Sequence, residues 1–285
     1  MHDMGEQPDR LCMDFAGILG ATPGVINGVC TATRFRRNIH PTVLGRRAES
    51  FMFIPQAFSF ENMGPNGKAL CLGETVLLQE EVNPFMSRLR EQGIIVTALH
   101  NHWLFEEPRL LYMHWESIDH PLSFAKKTRD ALDVLIKKNI GNKDRRVNGR
   151  EFSREEEAIC IEFDRILSGD MHTFEDGICT VMRSRTSIRP TVLGRRGRSF
   201  LLVPQMFTFE SMSSDGRALC SGETVILEDE LNPFISRLRE HNIIVTAFHN
   251  HWLFDNPRLM YIHWEKIDHP LNFAKNVREA LNVLR

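Results

Sequence analysis

His100-Asn101-His102-Trp103, followed by His114-Trp115, is the stretch with the most chemistry in the chain, and it occurs twice. The second copy reads His249-Asn250-His251-Trp252, then His263-Trp264. Before the first cluster stands Gly93-Ile94-Ile95-Val96-Thr97-Ala98-Leu99, β-branched and apolar enough to predict a strand. Side chains alternate along a strand, so Ile94, Val96, Ala98, His100 and His102 are expected on one face. Arg109-Leu110-Leu111-Tyr112-Met113-His114-Trp115 reads as a second strand after a short loop through Glu106. An antiparallel hairpin of even register places His114 opposite Ala98, beside the other two histidines.

Three neutral imidazoles converging at ~2.0–2.1 Å make an open zinc site, with water as fourth ligand. Two histidines and a carboxylate would instead suit Fe or Mn. The carboxylate placed to serve is Glu74, with Glu223 as its counterpart, either as a further ligand or as the base acting on bound water. The expected metal set is therefore His100, His102 and His114 in one half and His249, His251 and His263 in the other. A divalent ion is the expected cofactor, zinc first, iron or manganese as alternates. Glu116 and Glu265 are weaker candidates. The competing expectation is a non-catalytic binding or structural module, whose histidines and tryptophans only pack.

The elements holding these residues come in duplicate. Residues 41–135 align without a gap to 190–284, and roughly two-thirds of the positions are identical, so one domain-sized unit is repeated. The expected organisation is a first repeat at 9–137, a linker at 138–152 and a second repeat at 153–285. Leu11, Phe15, Ile18 and Leu19 form an amphipathic stripe, repeated as Ile159, Phe163, Ile166 and Leu167. Ser153 with Glu156 reads as a capping box before the second stripe.

Loops at 21–27 and 170–176 follow. Strands are then expected at 29–37, 50–60 and 69–78, with equivalents at 178–185, 199–209 and 218–227. Asn83-Pro84 and Asn232-Pro233 predict the start of a middle helix; Gly93 and Asn242 predict its left-handed end. Asp119-His120-Pro121 and Asp268-His269-Pro270 open a last helix. Each repeat thus reads α-β-β-β-α-β-β-α. The fold class is α+β: a mostly antiparallel, five-stranded sheet with helices on one face, the copies related by a pseudo-two-fold. The strand before the middle helix and the histidine strand after it are candidates for parallel pairing.

Composition narrows the function classes. The formal net charge is −2 and charged residues make up 25% of the chain, so nucleic acid is not an expected partner. No apolar run of ~20 residues would span a membrane. A small polar molecule is the expected ligand. Arginines cluster at 34, 36, 37, 46 and 47, and again at 183, 185, 189, 195 and 196. They would suit a carboxylate or phosphate, or a charged strand edge that resists aggregation. The six cysteines lack Cys-x-x-Cys spacing and are expected to be buried reduced thiols in a cytoplasmic protein. Walker A, nucleophile-elbow, zincin and dinucleotide-binding patterns are absent from the sequence.

The run Glu81-Val82-Asn83-Pro84, Ile95 through His102, Pro108-Arg109 and His114 resembles the LppY/LpqO-like family. So do Glu230-Leu231-Asn232-Pro233, Val245 through His251, Pro257-Arg258 and His263. The resemblance implies a tandem architecture and no particular activity, since the family's function is unknown. Where the family carries Gly-Asp, this chain has Gly73-Glu74 and Gly222-Glu223, one methylene longer. No lipobox cysteine or signal segment is evident, so the exported-lipoprotein character of some members is not carried over.

Overall fold

The structure, a computed structural model, describes residues 7–141 and 154–285. The first repeat runs α1 (Arg10–Leu19), β1 (Thr22–Ile26), β2 (Val29–Phe35), β3 (Pro55–Glu61), β4 (Ala69–Leu78), α2 (Val82–Glu91), β5 (Ile95–His100), β6 (Leu110–Asp119) and α3 (Pro121–Leu132). The second repeats it as α4 (Arg154–Leu167), β7 (Met171–Glu175), β8 (Ile178–Ser184), β9 (Pro204–Glu210), β10 (Ala218–Leu227), α5 (Glu228–Glu240), β11 (Ile244–His249), β12 (Leu259–Asp268) and α6 (Pro270–Leu281). The α+β class and the duplicated, mostly antiparallel design hold.

The main sheet of each repeat has six strands, not five, in the order β1-β2-β3-β4-β6-β5 and its copy β7-β8-β9-β10-β12-β11, beside smaller two- and three-stranded sheets. The added strand is the segment expected to be a loop. Asn27-Gly28 and Asp176-Gly177 all have positive φ, which a tight two-residue hairpin needs, so β1 and β7 fold back on the next strand. The expected parallel pairing also fails. β6 lies between β4 and β5, antiparallel to both, so the two parallel strands do not touch.

The middle helices start earlier than Asn83-Pro84 and Asn232-Pro233 suggest, at Val82 and Glu228. Gly93 (φ 73°) and Asn242 (φ 55°) end them in the left-handed region, as expected. The Ser153 capping box lies outside the described residues, as does most of the expected linker. Its first residues are not free: Ile140–Gly141 pairs in parallel with Ile39–His40.

Alternation along the strands divides each sheet into two faces. Cys71, Met113, Trp115 and Phe58 face α1, α2 and α3, closing one apolar core with Phe15, Phe85 and Phe124. Leu70, Leu72, Val76 and Tyr112 face the other repeat and share two further cores with its Phe200, Leu219, Val225 and Tyr261. The molecule is therefore layered helix, sheet, sheet, helix.

Polar contacts fix the two sheets with near-perfect reciprocity. Glu61 accepts from the backbone N–H of Arg198 (2.8 Å) and Ser199 (3.0 Å). Glu210 accepts from those of Glu49 (2.6 Å) and Ser50 (3.1 Å). Arg46 reaches the carbonyls of Ser211 and Arg217, and Arg195 that of Asn62. Arg36–Glu81 and Arg185–Glu230 are buried bidentate pairs within the repeats. Most of the clustered arginines are thus structural.

The cysteine expectation is overturned. Cys12–Cys30 and Cys160–Cys179 are disulfides tying α1 to β2 and α4 to β8. Only Cys71 and Cys220 are free and buried. Among the described residues no helix is long and apolar enough to cross a membrane.

Candidate metal centre

The strand carrying His100 does not alternate as a plain strand would. Its pairing with β6 slips between His114↔Ala98 and Trp115↔Val96, leaving Thr97 as a bulged residue. Ile94 and Val96 therefore pack against the helix-side core, while Ala98 and His100 turn to the inner face. This corrects the expectation that all five residues share a face. The expected register of His114 opposite Ala98 is observed. His102 lies beyond the end of β5, and is buried all the same. The bulge recurs at Thr246.

Each bulged threonine reaches across to the opposite repeat. Thr97 Oγ1 donates to the carbonyl of His251, and Thr246 Oγ1 to that of His102, both at 2.6 Å. The histidine loops are held by the neighbouring repeat. Consequently the two clusters, expected to lie one in each half, merge into a single centre.

Imidazoles from the two repeats stack face to face. Ring centroids are 3.5 Å apart for His100 and His249, and 3.8 Å for His102 on His263 and for His114 on His251. Tyr112 and Tyr261 cover the outer faces of His102 and His251 at 3.6 Å. Nε2 of His249 lies 3.1 Å from Nε2 of His251 and 3.2 Å from Nε2 of His263. Two four-histidine sets emerge, each with ligand atoms within 4.8 Å of one another: His100, His102, His114 and His251; and His102, His249, His251 and His263. Each expected triad is present, completed by a histidine of the other repeat.

Many ring nitrogens here have no partner. Both nitrogens of His100 and His114, Nε2 of His102, and Nδ1 of His251 and His263 are buried without a hydrogen bond. Unpaired buried polar atoms are costly and uncommon in a native protein. Burial foremost, and then the neighbouring imidazoles, hold His100, His102 and His251 far below the usual histidine range. Burial alone pushes His249 down to about 3. The rings are therefore neutral, the state in which an imidazole binds metal.

Glu74 pairs in register with His114, and Glu223 with His263. Their carboxyl oxygens lie 3.6 and 3.4 Å from Nδ1 of the respective rings, on the side away from Nε2. Burial, and then the Glu223 carboxyl beside it, raises Glu74 to about 8; burial raises Glu223 to about 7. Neither belongs to a four-ligand set. Glu116 and Glu265, two residues beyond the histidines on the same face, are buried and raised to about 8, mainly by burial.

The tryptophans pack. Trp103 Nε1 donates to Tyr112 Oη, which donates to the Phe53 carbonyl, and Trp252 and Tyr261 do the same with Leu202. Trp115 and Trp264 fill the helix-side cores, each lying over a glycine, Gly73 or Gly222, whose missing Cβ makes room for the indole.

The molecule is thus a tandem α+β protein with one histidine centre shared between its repeats. A family model described as a domain of unknown function (DUF1259) matches residues 13–134 and again residues 162–283. The chain belongs to that family and carries two copies of its domain. No curated protein matches it. Two solved structures are similar at low level. EtuB from Clostridium kluyveri has 6% identity over 91% of this chain and 90% of its own, with a TM-score of 0.22. PduB, a trimeric bacterial microcompartment shell protein, has 10% identity over 90% and 89%, with a TM-score of 0.21. Scores this low carry no argument about the fold or function of this chain.

Proposed function

We propose that the protein binds a transition-metal ion in the shared histidine centre. The observation carrying this reading is the spacing of the Nε2 atoms of His249, His251 and His263, 3.1 and 3.2 Å. Ligands ~2.0–2.1 Å from a tetrahedral ion stand about 3.3 Å apart. The unpaired ring nitrogens around them support the same reading. An all-imidazole donor set favours zinc, copper, nickel or iron over calcium or magnesium; zinc is our first choice.

The fourth histidine shifts the emphasis away from catalysis. Four imidazoles close a tetrahedron, as in structural or storage sites, whereas a catalytic ion keeps a position for water. Glu74 and Glu223 face Nδ1, where a carboxylate orients a metal-bound ring and raises its basicity. That placement fits orienting groups better than general bases. His102 and His251 belong to both sets, so only one ion at a time can gather four nitrogens. The two disulfides favour an oxidising compartment over the cytoplasm. Membership of the LppY/LpqO-like family is part of the same proposal.

The test is metal content by plasma mass spectrometry on untagged protein, beside a His251→Ala variant checked for folding by circular dichroism. About one equivalent of one transition metal is expected, lost in the variant. No metal after incubation with zinc, iron and manganese would overturn the proposal. The second reading, imidazoles that only stack, is favoured by the 3.5–3.8 Å ring separations. In that case wild type carries no metal and chelators leave its melting temperature unchanged.

A further inference from the structure

A groove of about 800 Å³ lies where the start of α1 and the β1–β2 hairpin meet the segment 186–198 of the second repeat. Arg189, Arg196 and Arg198 line it, together with Asn27, Glu61 and Asn62. All three arginines are exposed. Among the described residues, the side chains of Arg189 and Arg196 have no hydrogen bond or ion pair. Arg198 lies within electrostatic reach of Glu61. The groove's carboxylates are already engaged: Glu61 with the backbone amides of Arg198 and Ser199, and Asp9 with that of Cys12 at the start of α1.

The pseudo-two-fold supplies an internal control. Subtracting the repeat shift of 149, Arg189, Arg196 and Arg198 correspond to His40, Arg47 and Glu49. There Glu49 pairs with both of the other side chains. His40 Nδ1 is 2.8 Å from Glu49 Oε1, and Arg47 pairs with the other carboxyl oxygen. The first repeat thus carries a closed ion-pair cluster. At the same positions the second carries three cations and no acid.

We infer that this groove binds a small oxyanion of two or more negative charges, a polycarboxylate or a phosphate, clamped by Arg189 and Arg196 with Arg198 at its edge. Guanidinium forks match the oxygens of either group bidentately. The volume falls within the ~300–1,000 Å³ typical of small-molecule sites. A net charge of −2 for the whole chain argues for this local anion in place of a nucleic acid tracking a basic surface. The inference is independent of the metal centre.

The test is calorimetric titration of the full chain at low ionic strength with inorganic phosphate and, separately, succinate. The same titrations are run on Arg189→Gln/Arg196→Gln and on a charge-matched control, Arg165→Gln/Arg237→Gln. Single-site binding of at least one probe is expected, about tenfold or more weaker in the groove variant and unchanged in the control. The tighter probe identifies the ligand as phosphate or carboxylate. No binding of either probe, or equal weakening in the groove and control variants, would overturn the inference.

Discussion

The two faces of each sheet are built from the same strands and end up as different materials. Along β4 and β6, Cys71, Met113 and Trp115 point to the helices and make an apolar core with few polar atoms, the Trp115 indole nitrogen among them left without a partner. The residues between them, Glu74, His114 and Glu116, point to the other repeat and leave buried nitrogens and carboxyl groups in search of partners. An outer face of this kind supplies stability by excluding water. The inner face gives up part of that stability and gains a place where an ion can be held.

The comparison can be broken at either face. The largest effect is expected at the outer one. Trp115→Ala should cost about 3–5 kcal/mol in urea unfolding, while the folded fraction keeps its metal. A cost below about 1 kcal/mol would mean that the helix face is not the anchor. Next, removing the Cys12–Cys30 disulfide, which closes a separation of 18 residues, should cost about 3 kcal/mol. Reductant should lower the melting temperature of wild type more than that of Cys12→Ser/Cys30→Ser.

At the inner face, Glu74→Gln with Glu223→Gln should weaken metal binding by about 10–100-fold in a chelator competition. Complete loss would make the carboxylates ligands, and no change would remove them from the centre.

The smallest effect is on the pH dependence of the metal-free protein. Buried histidines held below 6.5 bind fewer protons folded than unfolded, so stability rises with pH up to about 6.5. Glu74, Glu223, Glu116 and Glu265, raised from 4.5 to about 7 or 8, hold protons longer in the folded state, so they lower stability as pH climbs from 4.5 to 8, opposing the more numerous histidines up to 6.5 and acting alone above it. The melting temperature should peak near neutrality and drop by roughly 5 °C on either side within about two pH units. A bound ion should flatten the curve, and a flat metal-free curve would contradict the assigned burial.

How far the sequence carried depends on what each feature requires. The repeat is visible because identity at a fixed shift of 149 needs no structure to detect. The histidine triads were legible through the register of the hairpin, which places His114 opposite Ala98. The facing of the strand before them was not legible, because a bulge at Thr97 leaves no composition signal and reverses the faces of Ile94 and Val96. The strands β1 and β7 had a signal, the Asn-Gly and Asp-Gly hairpin turns, overshadowed by their polar flanks. The disulfides depend on that same hairpin, which brings Cys30 beneath α1. The merging of two clusters into one was not legible, because it depends on how two finished sheets meet.

The reciprocal threonine bonds have an evolutionary consequence. Thr97 and Thr246, each fastened to the other repeat's histidine loop, form within one chain the kind of reciprocal seam that a two-fold homodimer has. A homodimer must display every surface twice, so a substitution that opens one groove opens its twin. A single chain lifts that obligation. The seam stays reciprocal because both partners still need it, while Glu49 and Arg198, at matching positions, are free to carry opposite charges in the same molecule.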